Sequence, residues 1–91
     1  MKQYTYSAII CFDEEDLVYV VHVPNLGIIV EATTEKDAIR RAKHFMMSYI
    51  ETAVAEELDI PESTDISSDL VDFVNGAIIS LTVTTGWYYY L

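Results

Sequence analysis

The sequence has few cysteines and few bases, and each shortage excludes a class of protein. Cys11 is the only cysteine, so no disulfide can form within the chain, and a reducing, cytoplasmic location is expected. No apolar run approaches the length of about 18 residues that spans a bilayer, so no membrane association is expected. Five bases against fifteen acids give a net charge of -10, which disfavours contact with a phosphate backbone. Direct nucleic-acid binding is therefore not predicted.

What is present indicates one small globular domain spanning residues 1–91. The chain is 52% hydrophobic, enough for a single core. Its charges are segregated: four of the five bases lie within residues 36–43, and residues 51–72 carry eight acids and no base. Such an acidic segment would attract a basic protein partner. It could equally serve only to keep a small domain soluble.

Alternation of apolar and polar residues predicts four strands. Residues 4–12 alternate and are followed by "DEED" (13–16), which predicts a solvated hairpin connection; a metal-binding loop is the weaker interpretation, because the calcium-loop spacing is missing. Residues 17–23 form a second predicted strand, which Pro24 ends. The turn formers Asn25 and Gly27 then lead into a third strand over residues 27–32. A fourth strand is predicted over residues 76–85.

One long helix is predicted between the third and fourth strands. Thr34 is a suitable N-cap, with Asp37 three residues later, and Asp37 is expected to pair with Arg41. Apolar residues at spacings of three and four form one stripe, and the helix should end near Leu58, before Pro61. A short helical turn is also predicted over residues 70–74. The stripe consists of Ala38, Ile39, Ala42, Phe45, Met46, Tyr49, Ile50 and Ala53.

The predicted fold class is α+β with the order β-β-β-α-β. Three strands form an antiparallel meander, and one helix can cover only one face of the sheet. The other face is more apolar than a solvated face needs, which is typical of association. By the alternation, its apolar residues are Ile9, Cys11, Val18, Val20, Ile29 and Ile78.

The sequence offers little that indicates catalysis. His22 and His44 form no metal-ligand spacing with each other or with Cys11, and no base adjoins Cys11 in sequence to activate its thiol. There is no phosphate-binding loop and no nucleophile elbow. We therefore expect a protein that is not an enzyme and that uses no cofactor and no metal.

Residues 6–42 resemble the HicB-like antitoxins of bacterial type II toxin-antitoxin systems. The resemblance is carried by "YSA" (6–8), Asp16, "YVV" (19–21), "VPNLG" (23–27) and "ATTEKDAIRRA" (32–42). The family's Pro-Gly-Cys is reduced here to Gly27, and Asp37 stands where the family has Glu. The resemblance implies a partial RNase H fold with the fourth strand beside the first. No C-terminal DNA-binding domain is expected within residues 1–91.

The same resemblance implies a function: direct binding and neutralisation of a small, basic, HicA-like toxin that cleaves mRNA. The alternative is a stand-alone HicB-like domain that self-assembles and binds an unknown partner or a small ligand. The acids expected to meet a basic partner are Glu56, Glu57, Asp59 and Glu62.

A homodimer or higher homo-oligomer is also expected. Large aromatic rings at the end of the chain would be costly to leave in water and are enriched at interfaces. They could instead fold back onto the chain's own core. The predicted interface residues are Val18, Val20, Trp87, Tyr88, Tyr89 and Tyr90.

Overall fold

The computed structural model describes residues 2–66 and 75–85 and confirms the predicted fold class. Four antiparallel strands form one sheet in the order β3-β2-β1-β4, so the fourth strand lies beside the first. The elements are β1 (Lys2–Asp13), β2 (Val18–Val23), a 3₁₀ turn (Pro24–Leu26), β3 (Ile28–Ala32), α1 (Glu35–Ala55) and β4 (Ala77–Thr85). The turn predicted over residues 70–74 lies outside the described residues, as do Trp87, Tyr88, Tyr89 and Tyr90.

β1 is the long central strand of the sheet, and its two neighbours cover it unequally. β4 pairs with it from Lys2, opposite Thr85, as far as Ile10. β2 pairs with it only from Ile9, opposite His22, onward. Among the described strands, the N-terminal half of β1 therefore has a neighbour on one side only.

The connection between β2 and β3 forms at the predicted place. Pro24–Leu26 makes one 3₁₀ turn, which Gly27 closes by donating its backbone N–H to the carbonyl of Pro24. Gly27 has a φ of 65°, in the left-handed region that glycine enters at little cost. Proline at the start and glycine at the end thus explain why β2 stops here.

The helix begins as predicted, with the Thr34 hydroxyl accepting from the backbone N–H of Asp37 at 3.2 Å. Asp37, however, pairs with Arg40 at 2.9 Å rather than with Arg41, because three residues along a helix also bring side chains together. The predicted end near Leu58 is wrong as well. The helix ends at Ala55 because Glu57 turns into the left-handed region, with a φ of 56°.

The core lies between the helix and one face of the sheet. The alternation is confirmed on three strands by the burial of Tyr6, Val21 and Leu81, each together with the residue two positions later, while the residue two positions earlier is half-buried against the core. It fails at Leu17, which is 66% exposed because it lies in the hairpin turn with a φ of 56° rather than in β2. The buried cluster contains Tyr6, Ala8, Ile10, Val21, Val23, Leu26, Val30, Ala32, Ala38, Ala42, Met46, Ile50, Leu81 and Val83.

The sheet face that points away from the helix carries a row of three isoleucines and one histidine across the four strands. The register aligns Ile29, His22, Ile9 and Ile78 side by side. At the two ends of the row Ile29 is 65% exposed and Ile78 is 50% exposed, whereas Ile9 in the centre is buried. An apolar face remains outside the helix-sheet core.

Candidate functional site: an acidic surface at the end of the helix

The C-terminus of α1 ends in a Schellman-type motif. Glu57 donates its backbone N–H to the carbonyl of Val54 at 3.2 Å, and Leu58 donates to Ala53 at 2.8 Å. This pair of bonds requires the residue between helix and loop to be left-handed, a position that glycine usually occupies. Here Glu57 occupies it. Two helix carbonyls are satisfied, but Glu57 adopts a backbone conformation that is unfavourable for most residues with a side chain.

The charges at this helix end oppose the helix dipole. Glu56 caps the helix and Glu57 follows it, while the last turn contains no basic residue. Carboxylates are destabilising near the negative end of a helix, where bases are favoured. The placement of Glu56 and Glu57 therefore lowers the stability of the helix rather than raising it.

Exposed apolar side chains lie beside these acids. Tyr49 is 38% exposed and Leu58 is 58% exposed. They line a shallow depression of about 320 Å³ together with Thr52, Ala53 and Asp59. An aromatic ring, an aliphatic side chain and a carboxylate thus share one surface, which we name the helix-end surface (Tyr49, Glu56, Glu57, Leu58 and Asp59).

The chain that follows the helix-end surface is attached to the sheet at three points. The Tyr6 hydroxyl donates to the carbonyl of Pro61, and the backbone N–H of Ser7 donates to the Ser63 hydroxyl at 3.3 Å. Asn25 and Thr64 form two further hydrogen bonds. This loop therefore runs along the half of β1 that β2 does not reach.

The four acids predicted to meet a partner separate into two places. Glu56, Glu57 and Asp59 follow the helix directly, and all are exposed. Glu62 lies on the attached loop and lines a different depression, which it shares with Lys2 and Tyr4. The structure thus keeps three of the four on the helix-end surface and places the fourth beside β1.

Val18 and Val20, predicted as interface residues, lie half-buried on the sheet face that points away from the helix. The register sets Val18 opposite Asp13 and Val20 opposite both Cys11 and Glu31. Carboxylates therefore border the valines on that face.

The exposure of Tyr49 differs from what the spacing predicts, because the apolar pattern places Tyr49 and Phe45 in the core stripe. The residues that α1 buries are Ala38, Ala42, Met46, Ile50 and Ala53. These five already form a stripe at spacings of four and three, and Phe45 and Tyr49 each precede one of its members by a single position. One position rotates a side chain by about 100° around a helix, which is why Phe45 is 52% exposed.

The residues considered for chemistry lie apart. Cys11 is half-buried on the sheet face away from the helix, His22 lies in the row with Ile29, Ile9 and Ile78, and the ring of His44 contacts Phe45 on the helix. Among residues 2–66 and 75–85, no group of three His, Cys, Asp or Glu side chains could hold a metal ion. In the hairpin, Asp13 accepts from the backbone N–H groups of Glu15 and Asp16, so its carboxylate closes the turn.

Comparison with known proteins identifies no relative: no family model, no curated protein and no solved structure matches the chain. Within the part of the chain that the structure describes, no helix has the length and apolar character needed to cross a membrane.

Proposed function

We propose that the chain is an antitoxin-type module of the HicB-like class, which neutralises a basic, HicA-like mRNA-cleaving toxin by direct contact. It acts by binding in the cytoplasm, with no catalytic step, no cofactor and no contact of its own with nucleic acid. The proposal rests on the resemblance of residues 6–42 and on the acidic helix-end surface. The second of these is a physical argument and is independent of the first.

The observation that carries the proposal is the conflict at Glu57. Its left-handed backbone and its charge beside the helix terminus both lower stability. Positions where a sequence departs from local structural preference are concentrated at functional sites. A carboxylate kept at such a position supports a role in attracting a basic partner.

The neighbouring apolar groups supply what charge alone does not. Exposed charges mainly speed encounter and fix orientation, and they add little affinity once screened. Affinity in protein interfaces comes largely from a few aromatic or aliphatic anchors surrounded by polar groups. Tyr49 and Leu58, with Asp59 at their side, fit that arrangement.

A second candidate is a stand-alone domain that assembles with itself. The exposed ends of the row on the sheet face, Ile29 and Ile78, favour it, because such patches mark association surfaces. The two candidates are compatible, since a toxin-binding module can also be an oligomer.

The test is the association rate with any basic, toxin-sized protein that is encoded beside this chain. Neutralising Glu56, Glu57, Asp59 and Glu62 to their amides should slow association, and added salt should slow the native chain toward the rate of the variant. The control removes the same charge elsewhere, with Glu14→Gln, Glu15→Gln, Asp16→Asn and Glu31→Gln. These four residues are also exposed.

The two charge variants separate the possible outcomes. If association slows only in the first variant, the result supports the helix-end surface as the binding site. If both variants associate equally slowly, the overall charge alone explains the effect. If no neighbouring protein binds the native chain, the antitoxin proposal fails.

A further inference from the structure

β4 forms one outer edge of the sheet and carries no charge. It runs over nine residues, Ala77–Thr85, with the sequence AIISLTVTT, and no described strand lies beyond it in the order β3-β2-β1-β4. Natural proteins usually protect an exposed edge with charged side chains, proline, a bulge or a very short strand. Residues 77–85 contain no charged residue and no proline. With nine residues, the strand is also longer than the usual length of about five or six.

The backbone groups that point outward from β4 follow from one hydrogen bond on β1. The N–H of Ser7 donates to the Ser63 hydroxyl on the loop, so it points away from β4. Ser7 and Ser80 are direct partners in the ladder, and antiparallel partners exchange either both of their hydrogen bonds or neither. The N–H and C=O of Ser80 therefore point to the outer edge of the four described strands, and so do those of Ile78, Thr82 and Thr84.

The other edges of the sheet are protected in the usual ways. β3 has only five residues and includes the exposed Glu31. The free half of β1 begins with Lys2 and is approached by the loop through Ser63. Among the described strands, β4 alone offers a long, uncharged row of hydrogen-bonding groups.

We propose that β4 pairs antiparallel with β4 of a second copy of this chain, joining the two four-stranded sheets into one. The net charge of -10 makes two copies repel each other over most of their surfaces, and β4 is where they can approach without opposing charges of the same sign. An antiparallel two-fold pairing is self-complementary. Leu81 is the middle residue of β4. Ser80 and Thr82, whose hydrogen-bonding groups point outward, lie on either side of it.

This inference concerns self-association, and it deepens the second candidate without depending on toxin binding. It places the interface on the edge of the sheet rather than on the face that carries Val18 and Val20. The two surfaces can therefore be separated by substitution.

The test compares Ser80→Pro with Ser80→Ala by analytical ultracentrifugation over a range of concentrations. Proline removes the N–H of Ser80, which β1 does not use, and proline is tolerated on edge strands. Ser80→Ala keeps the N–H and removes only the hydroxyl. We expect the native chain and Ser80→Ala to dimerise alike, and Ser80→Pro to raise the dissociation constant at least about tenfold. Circular dichroism and a thermal melt of each variant check that it is folded.

Two further measurements make the result decisive. Val20→Lys, on the sheet face, should leave the dimer intact, and raising the salt from about 50 to about 500 mM should strengthen it by screening the repulsion. A native chain that stays monomeric at high micromolar concentration overturns the proposal. So does a folded Ser80→Pro that dimerises like Ser80→Ala, or a dimer that Val20→Lys breaks while Ser80→Pro leaves it intact. Binding to a toxin is measured separately, so its absence does not affect this outcome.

Discussion

Asn25 and Thr64 hold each other through two reciprocal hydrogen bonds. The side-chain N–H of Asn25 donates to the Thr64 hydroxyl at 2.9 Å, and the backbone N–H of Thr64 donates to the side-chain oxygen Oδ1 of Asn25 at 3.1 Å. One residue belongs to the turn between β2 and β3, and the other belongs to the acidic loop. The pair therefore fixes the loop that follows the helix-end surface to the end of the sheet.

We expect this pair to behave as one energetic unit. Asn25→Ala and Thr64→Ala should each lower the free energy of unfolding by about 1 kcal/mol. The double variant should lose much less than the sum of the two, because either single change already breaks the side-chain bond. Urea unfolding of the four proteins gives the coupling, and strictly additive losses would show that the pair does not act together.

Only one member of this pair has a structural role that the sequence predicts. Asn25 is recognisable as a turn former beside Pro24 and Gly27, and the turn lies where it was predicted. Its partner is 39 residues away, in a segment without any periodic pattern. Local spacing predicts strands, a helix and a turn, but it carries no information about which loop folds back onto which turn.

The same limit explains the errors at the helix end and the hairpin. Glu57 and Leu17 both adopt the left-handed conformation, which neither residue type prefers. Residue propensity alone therefore predicts a helix that continues past Glu57 and a strand that includes Leu17. The wider order of elements was predictable because it depends on many residues of alternating or helical spacing, whereas each of these boundaries depends on a single strained residue.

Two glycines should respond differently to the same substitutions. Gly27 has open space around it but a φ of 65°, whereas an added β carbon at Gly76 would lie 2.8 Å from the carbonyl oxygen of Ile10 and 2.9 Å from Ile9 Cγ2. Gly27→Ala should lower stability by about 1 kcal/mol, and Gly27→Asn by less, because asparagine tolerates the left-handed region. Gly76→Ala should cost about 1–3 kcal/mol through overpacking, and Gly76→Asn should not relieve it. Thermal unfolding of the four variants tests this contrast; a rescue at position 76 by asparagine would contradict it.

Alkaline pH should weaken the attachment of the loop at Tyr6. Burial, followed by the nearby Tyr4 and Tyr49 hydroxyls, raises the pKa of Tyr6 above its ordinary value of 10.0. A raised pKa means that the folded protein holds the proton more tightly than the unfolded chain. The stabilisation is therefore complete below about pH 10 and is lost as the pH rises through the folded-state value.

The matched variant for this effect is Tyr6→Phe. It should be less stable than the native chain at neutral pH, because the hydrogen bond to the carbonyl of Pro61 is lost. The difference in free energy of unfolding between the two proteins should narrow as the pH rises above about 10, because the native chain then loses the stabilisation from Tyr6. Denaturant unfolding at a series of pH values measures this difference. A difference that does not change with pH would exclude Tyr6 as the source of the loss of stability at alkaline pH.

Replacing Glu57 should separate stability from binding. Glu57→Gly relieves the left-handed strain at a φ of 56° and removes a carboxylate from the negative end of the helix. We expect a gain of about 1 kcal/mol, or roughly 4–8 °C in melting temperature for a domain of this size. If the helix-end surface steers a basic toxin, the same change should slow association.

Glu56→Gly is the control, because it removes the same charge from the preceding position. Glu56 has a φ of -95°, so glycine relieves no strain there, and the flexibility that it adds to the unfolded chain offsets the gain from removing the charge. Both variants should therefore slow toxin association to a similar extent, while only Glu57→Gly should melt at a higher temperature. If Glu57→Gly melts no higher than Glu56→Gly, the left-handed backbone is not the source of the cost. If it melts higher but binds as fast as the native chain, Glu57 is tolerated for a reason other than this contact.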